Sequence, residues 1–424
     1  MRDKGDGSVY QRADGRWVGQ IEDGYTKTGA RAYRRRVRDT ETEARRAVRD
    51  MLRALAGDSV DLDPRTTIKR WGSKWLEHQA GVVRPDVLKS RDGHLRNWIV
   101  PTIGNRRLGS LTAEDGRKVE RAILAADLSP TTAHNVRVTL QTMLNAAVVE
   151  GYNIPRPILA APITEVAESE RDAIPLADAV RILDSALHPD TWPDLPGLPP
   201  LGRGRRRDKT DVEQHKRRRL LEGTDPSRWT AALLQGMRQG ECLGLTWSSV
   251  DLKIGTMDIS WQLKRYAVDA AVPPGLATRR LDGQYILTAP KTKAGKRIIP
   301  LVPWMVTALE RWRDLCPESE HDLVWPRPSG GPISKGDDLA AWYGLLDAAG
   351  VHKSGPKQWV LHEARHTTVS LLEAAGVPPA VIIAIVGHAT YASTRRYSHT
   401  ELARARAALA TVADDLGLPA ALTA

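Results

Sequence analysis

LHEARHTTVSLLEAAG (361–376) and, nine residues further on, IVGHATYASTRRYSHT (385–400) hold the densest chemistry in this 424-residue chain. His362, Arg365 and His366 stand at i, i+3 and i+4, so one helix face presents two imidazoles and a guanidinium. Two His at that spacing also suit zinc, but Arg365 lies between them and no third ligand is evident. An Arg beside His on one face fits an anion better. In the second stretch His388 follows an apolar helix and a glycine, and Tyr397 lies nine residues beyond it among polar residues. Each feature taken singly has a bland reading, either a solvated helix face or a surface tyrosine.

Working outward, two earlier clusters join them. GMRQGECLGLTW (236–247) places Arg238 between Gly236 and Gly240, where glycines let a backbone turn tightly beside a ligand. TAPKTKAGKRIIPL (288–301) reads as a strand, a Lys-rich turn and a returning strand, with Lys291, Lys293 and Lys296 at a hairpin tip. Alone, the first is a turn and the second a soluble loop. Together, two Arg, a Lys, two His and a Tyr form a complete set for metal-free phosphoryl transfer. That chemistry needs cations on the non-bridging oxygens, a proton donor for the leaving oxygen, and a nucleophile.

In this order, R…K…HxxRH…GH…Y resembles the tyrosine recombinase (phage-type integrase) family. GMRQGECLGLTWSSVDL (236–252) is similar to its first arginine box, and HEARH to its His-x-x-Arg box, with Ala364 where a leucine usually stands. WIVPTIGNRRLGSLT (98–112) is similar to part of its core-binding domain, and residues 7–55 to its arm-binding domain. The resemblance implies six catalytic residues: Arg238, Lys291, His362, Arg365, His388 and Tyr397. Tyr397 would attack a scissile phosphate to give a 3′-phosphotyrosine, and Arg238 and Arg365 would clamp the non-bridging oxygens. Lys291 would protonate the leaving 5′-oxygen, although Lys293 and Lys296 share its turn. His362 would exchange a proton with the tyrosine, His388 would bond the phosphate, and Glu241 would support Arg238. No cofactor and no metal are implied. The implied partners are double-stranded DNA with core-type and arm-type attachment sites, a homo-tetramer on that DNA, a host bending protein and a directionality factor, without a membrane. The C-terminal helix 401–418 packs on a neighbouring protomer in the family, and its own domain is the competing surface. A Xer-like resolvase, a type IB topoisomerase-like strand transferase and a catalytically inactive DNA-binding regulator are the alternatives.

Length and composition agree with this frame. At ~100–200 residues per domain, the chain predicts two or three domains. Two Cys exclude a disulfide-stapled scaffold or a multi-cysteine metal framework, and the polar start MRDKGDGSVY is not a signal peptide. A cytoplasmic, nucleoid-associated protein is expected. The fold class expected is multidomain, with domain bounds of 1–56, 65–155 and 172–424. The first is a small three-stranded β-sheet plus helix binding arm-type DNA. The second is an all-α core-binding domain, and the third a mixed α+β, mainly helical catalytic domain of the tyrosine recombinase type. Asp14-Gly15 signals the first hairpin, and Thr40 with Glu43 signals the start of the helix at 41–55. A basic, Pro-rich insertion at about 189–226 reads as a mobile connection. Residues 1–56 carry 14 basic and 9 acidic side chains, and 201–220 carry 9 and 3. These two segments account for the whole net charge of +11, and both are expected to make salt-sensitive contacts with DNA phosphates.

Overall fold

A computed structural model describes residues 7–25, 31–55, 62–164, 172–197, 208–290, 295–355, 357–387 and 399–415. The chain divides into two units, Met1–Ala167 and Glu168–Ala424. The fold class is the multidomain one expected, with small three-stranded sheets among helices.

The first unit opens with β1 (Ser8–Gln11), β2 (Trp17–Tyr25) and β3 (Arg31–Arg38), an antiparallel meander followed by α1 (Glu41–Leu55). Gly15 takes φ +81 in the first turn, where the Asp14 carboxylate accepts from the Arg16 N–H. Ile21 faces inward and meets Val48 and Met51 of α1, with Val9 and Leu52 packed against them. The helix lies so close that a Cβ on Gly19 would stand 2.7 Å from the Ala44 carbonyl oxygen. On β3, Arg34, Arg35, Arg36 and Arg38 are exposed.

The same unit continues with α2 (Ile68–Gln79), α3 (Pro85–His94), a wider π turn at Leu95–Ile99, and α4 (Val100–Ile103). Then come α5 (Ala113–Leu124), α6 (Pro130–Val149) and α7 (Arg156–Ala160). Thr67 and Ser129 cap α2 and α6 with their hydroxyls, while Thr112 and Asp115 form a capping box on α5. Their apolar stripes meet in one core containing Trp71, Trp75, Ile99, Val119, Leu140 and Met143. The Trp71 indole N–H donates to the Met143 carbonyl at 2.9 Å, so this large ring is buried without stranding its polar atom.

The second unit begins with α8 (Leu176–Leu187), α9 (Lys209–Glu222), α10 (Ser227–Leu233) and α11 (Gln239–Cys242). The strands β4 (Val250–Asp251), β5 (Thr256–Ile259), β6 (Gln262–Arg265), β7 (Thr278–Arg280), β8 (Tyr285–Thr288) and β9 (Arg297–Pro300) follow. Five helices end the described chain: α12 (Pro303–Leu315), α13 (Lys335–Ala348), α14 (Leu361–Ala374), α15 (Pro379–Val386) and α16 (His399–Asp415). One core joins α8, α10, β5, β9 and the later helices, with Trp229, Trp342, Leu309, Leu372 and Ile385 buried in it.

Two sequence expectations change here, and a choice the sequence left open between two surfaces is resolved. β8 and β9 do not form a hairpin: β9 pairs with β5 in the order β4-β5-β9, and β8 lies between β6 and β7. The connection between them therefore crosses from one sheet to the other. The insertion at 189–226 is no mobile connection in its described parts. Residues 209–222 form α9, which lies against α13 so tightly that a Cβ on Gly344 would stand 2.8 Å from the Arg217 carbonyl oxygen. Arg217 also pairs with Asp347 at 3.2 Å, and Arg218 lies over the Trp192 ring and donates to the Pro193 carbonyl. Finally, α16 packs on its own domain. Ala405, Leu409 and Val412 are buried, and Arg406 donates to the carbonyls of Leu301, Ile254 and Gly255.

Candidate active site

The site grows from the turn after α10. Gly236 takes φ +57, and a Cβ there would meet Val386 at 2.8 Å, so the position needs glycine for both conformation and room. The turn sets Arg238 at the N-cap of α11, where its side chain remains 38% exposed. Three residues on, Glu241 reaches back and accepts from the Arg238 backbone N–H at 2.9 Å and from its guanidinium at 2.7 Å. The Arg238 guanidinium also donates to the Gly387 carbonyl at 2.9 Å, which fixes its second edge.

Arg297, the first residue of β9, comes in from the sheet. It makes a bidentate pair with Glu241 at 2.9 and 3.2 Å and donates through Nε to the Ile385 carbonyl at 2.7 Å. Burial alone pushes the Glu241 carboxyl up, but the charge and hydrogen bonds of Arg297, with Arg238 behind them, hold it at about 2. Glu241 is thus ionised at any physiological pH. Neighbouring Cys242 is fully buried, and that burial raises its thiol to about 12, so it offers no competing nucleophile.

The fourth member is Arg365 on α14. It is 1% exposed and donates through Nη1 to the Gly236 carbonyl. Its Nη2 is buried with no hydrogen-bond partner among the described residues. Burial first, then repulsion from Arg238 and Arg297, lowers Arg365 to about 9, with Glu241 opposing. It stays protonated at neutral pH, yet its charge is disfavoured until an anion arrives. Three guanidiniums therefore surround one carboxylate and leave a net positive centre with an open donor.

His362 sits one turn before His366 on the same helix and is exposed, and the two rings meet edge to face with centroids 5.1 Å apart. Among the described residues, no group of three or more His, Cys, Asp or Glu is placed to hold a metal. Lys291, His388 and Tyr397 lie outside the described residues. Arg238, His362 and Arg365 are therefore the expected site residues with a described position, and Arg365 feels the charge of Arg238.

Arg297 was not singled out in sequence. A lone Arg opening a strand reads as a solvent-facing charge, and the one available signal was its place at the head of an otherwise apolar RIIP run. A second buried pair supports the same turn. Arg228 holds Asp338 at 2.8 and 3.1 Å, and Gln239 donates to the same carboxylate at 2.9 Å.

Residues 221–404 match the phage integrase family. Over 93% of this chain, an integrase of Saccharopolyspora erythraea is 23% identical, with 93% of its own length covered. An integrase of Streptomyces ambofaciens is 25% identical over 93% of this chain and 92% of its own. Among solved structures, the Tn1549 transposon integrase in complex with transposon right end DNA superposes with a TM-score of 0.57 at 19% identity. That match covers 81% of this chain and 98% of the other. A lambda integrase dimer bound to a COC' core site gives a TM-score of 0.50 at 14% identity, covering 96% of both chains. These two are likenesses of fold.

Proposed function

We propose how this chain, which belongs to the tyrosine recombinase (phage-type integrase) family, carries out its work as a site-specific enzyme that breaks and rejoins DNA strands. The Tyr397 hydroxyl oxygen attacks the scissile phosphorus, a new P–O bond forms, and the 5′-oxygen leaves with a proton from Lys291. His362 takes the tyrosine proton, and His388 donates a hydrogen bond to the phosphate. A 3′-phosphotyrosine keeps the phosphodiester energy, so an incoming 5′-hydroxyl reverses the step on a second strand without ATP.

The observation that carries this reading is the cluster of Arg238, Arg297 and Arg365 around a single ionised Glu241. Glu241 neutralises Arg297, leaving Arg238 and the open Arg365 donor for the two non-bridging oxygens of a phosphodiester. Such a site is charged and preorganised before substrate arrives. The reading further places residues 1–56 on arm-type DNA, 65–155 on core-type DNA and 172–424 at the scissile phosphate. It also assigns a homo-tetramer on DNA, with a host bending protein and a directionality factor as accessories, in the cytoplasm on the nucleoid. No helix among the described residues is long and apolar enough to cross a membrane.

Incubation with a nicked duplex carrying the element's own attachment site tests this directly. A covalent protein–DNA adduct on a denaturing gel is expected, whereas retardation in a native gel without any adduct would reduce the protein to a binding module.

A further inference from the structure

Arg297 joins three separate segments at the site. In β9 it stands two residues before Ile299, so the pleat turns both side chains to the buried face, and that of Arg297 is only 3% exposed. A charge that deep is costly unless it is paired. Here each of its nitrogens has a partner. Nη2 and Nη1 donate to the two oxygens of Glu241 at 2.9 and 3.2 Å, and Nε donates to the Ile385 carbonyl at 2.7 Å. Nη1 also reaches the Gly295 carbonyl at 3.4 Å. Ile385 lies in the last turn of α15, where carbonyls lack partners within the helix, and Arg238 takes the carbonyl of Gly387 at the same end. In sequence, Gly295 and Gly387 adjoin the stretches that carry Lys291 and His388.

Arg238 and Arg297 share the Glu241 carboxylate. Oε1 accepts from both guanidiniums, and Oε2 accepts from the Arg238 backbone N–H and from Arg297 Nη2. Burial would raise Glu241, and of the two charges that oppose it, Arg297 is the stronger. Arg238 is the partner open to a ligand, since Arg297 is enclosed. Were Arg297 neutral, Glu241 would pair with Arg238 alone among the described residues. Opposite charges 2.7 Å apart would then largely cancel for a phosphate approaching Arg238. With Arg297 charged, its pair with Glu241 is neutral and the charge of Arg238 is left over. The influence of Arg297 extends to the other site arginine: after burial, the charges of Arg238 and Arg297 are what lower Arg365.

We propose that Arg297 is a positioning residue for strand cleavage: it supplies the counter-charge of Glu241, so that Arg238 keeps its own charge for the DNA phosphate. This rests on the strand-cleavage reading above. Arg297→Met and Arg297→Gln both remove the charge. The glutamine amide can still donate to Glu241, so Arg297→Gln serves where Arg297→Met fails to fold. On the nicked attachment site at saturating DNA, both are expected to form adduct about tenfold to a hundredfold more slowly, with duplex affinity changed by less than about threefold. Arg297→Lys keeps the charge and should be faster than either by at least about fivefold. The deciding substrate is the same site with a methylphosphonate at the scissile position, where a methyl group replaces one non-bridging oxygen and the phosphate charge is gone. The charge of Arg238 then has no anion to meet, so Arg297→Gln should come within about threefold of the unmodified protein. A merely structural defect slows both substrates alike. Equal slowing on the two substrates, or Arg297→Gln at full rate on the phosphate, overturns the proposal while the unmodified protein still forms adduct. Absence of adduct from the unmodified protein on the ordinary site removes the strand-cleavage reading itself.

Discussion

At the scale of single residues, Glu241 and Arg365 show how one site is held under opposed charges. Glu241 is 4% exposed and depressed to about 2 from 4.5 by Arg297 and Arg238, against the burial that would raise it. A carboxyl lowered on folding contributes stability that is fully present above its unfolded value and is lost as pH falls toward the folded one. For Glu241 that window runs from about 4.5 down to about 2, and the shift corresponds to about 3 kcal/mol. Glu241→Gln is therefore expected to lower stability by about 3 kcal/mol at neutral pH. Urea titrations of both proteins should show the gap closing as pH falls through 4; a gap independent of pH would contradict the charge network. Arg365 has the opposite sign. Its charge is disfavoured in the free protein, and under the proposed mechanism a phosphate bound against it would relieve that, concentrating binding energy on the reacting group. Arg365→Ala or Arg238→Ala should lower single-turnover cleavage by at least about 10²–10³ with duplex binding largely kept. Losses below tenfold would mean these residues do not face the phosphate.

At the scale of elements, α9 explains part of where the charge lies. Lys209, Lys216 and Arg219 recur at i, i+7 and i+10, which is one helix face, and all three are exposed while Arg217 and Leu221 turn toward α13. If this stripe contacts DNA phosphates, replacing all three by Gln should reduce the salt slope of duplex binding by about 2 to 3 in log–log units. An unchanged slope would leave α9 without a DNA contact. Deleting 201–220 is a poor test, because it would strip the packing surface of α13. How much of this was legible in sequence depended on what fixes each element. The turn at Asp14-Gly15 and the cap at Thr40 are local, and β1 to α1 fall where those signals put them. The apolar periodicity of α2, α5 and α6 likewise placed the helices of the second region. α9 has one fully buried apolar residue, Leu221, and docks through an arginine stem and a glycine on its neighbour, so no stripe announces it. β8 and β9 looked like a hairpin because they are close in sequence, whereas each is paired by a different, distant strand.

At the scale of the molecule, the proposed catalytic residues come from separate parts of the sequence, and their order in the chain was what sequence could read. Arg238 lies at the start of α11, and His362 and Arg365 lie on α14. The residue types and spacing carried the expected chemistry, while Arg297, which pairs with Glu241, became visible only through a contact 56 residues apart. Lacking Phe, the chain fills its two main cores with tryptophans, Trp71 and Trp75 in one and Trp229 and Trp342 in the other. The basic excess lies in residues 1–56 and 201–220, which hold none of the proposed site residues, whose cations are few and individually placed. The central claim is that Tyr397 is the nucleophile, and trapping is its most direct measurement. The unmodified protein and Tyr397→Phe are incubated with the nicked attachment site, and any adduct is digested and sequenced by mass spectrometry. A DNA-linked peptide modified at Tyr397, with no adduct from Tyr397→Phe despite retained DNA binding, is the predicted result. Adduct that persists in Tyr397→Phe, or that maps to Tyr391, would contradict it.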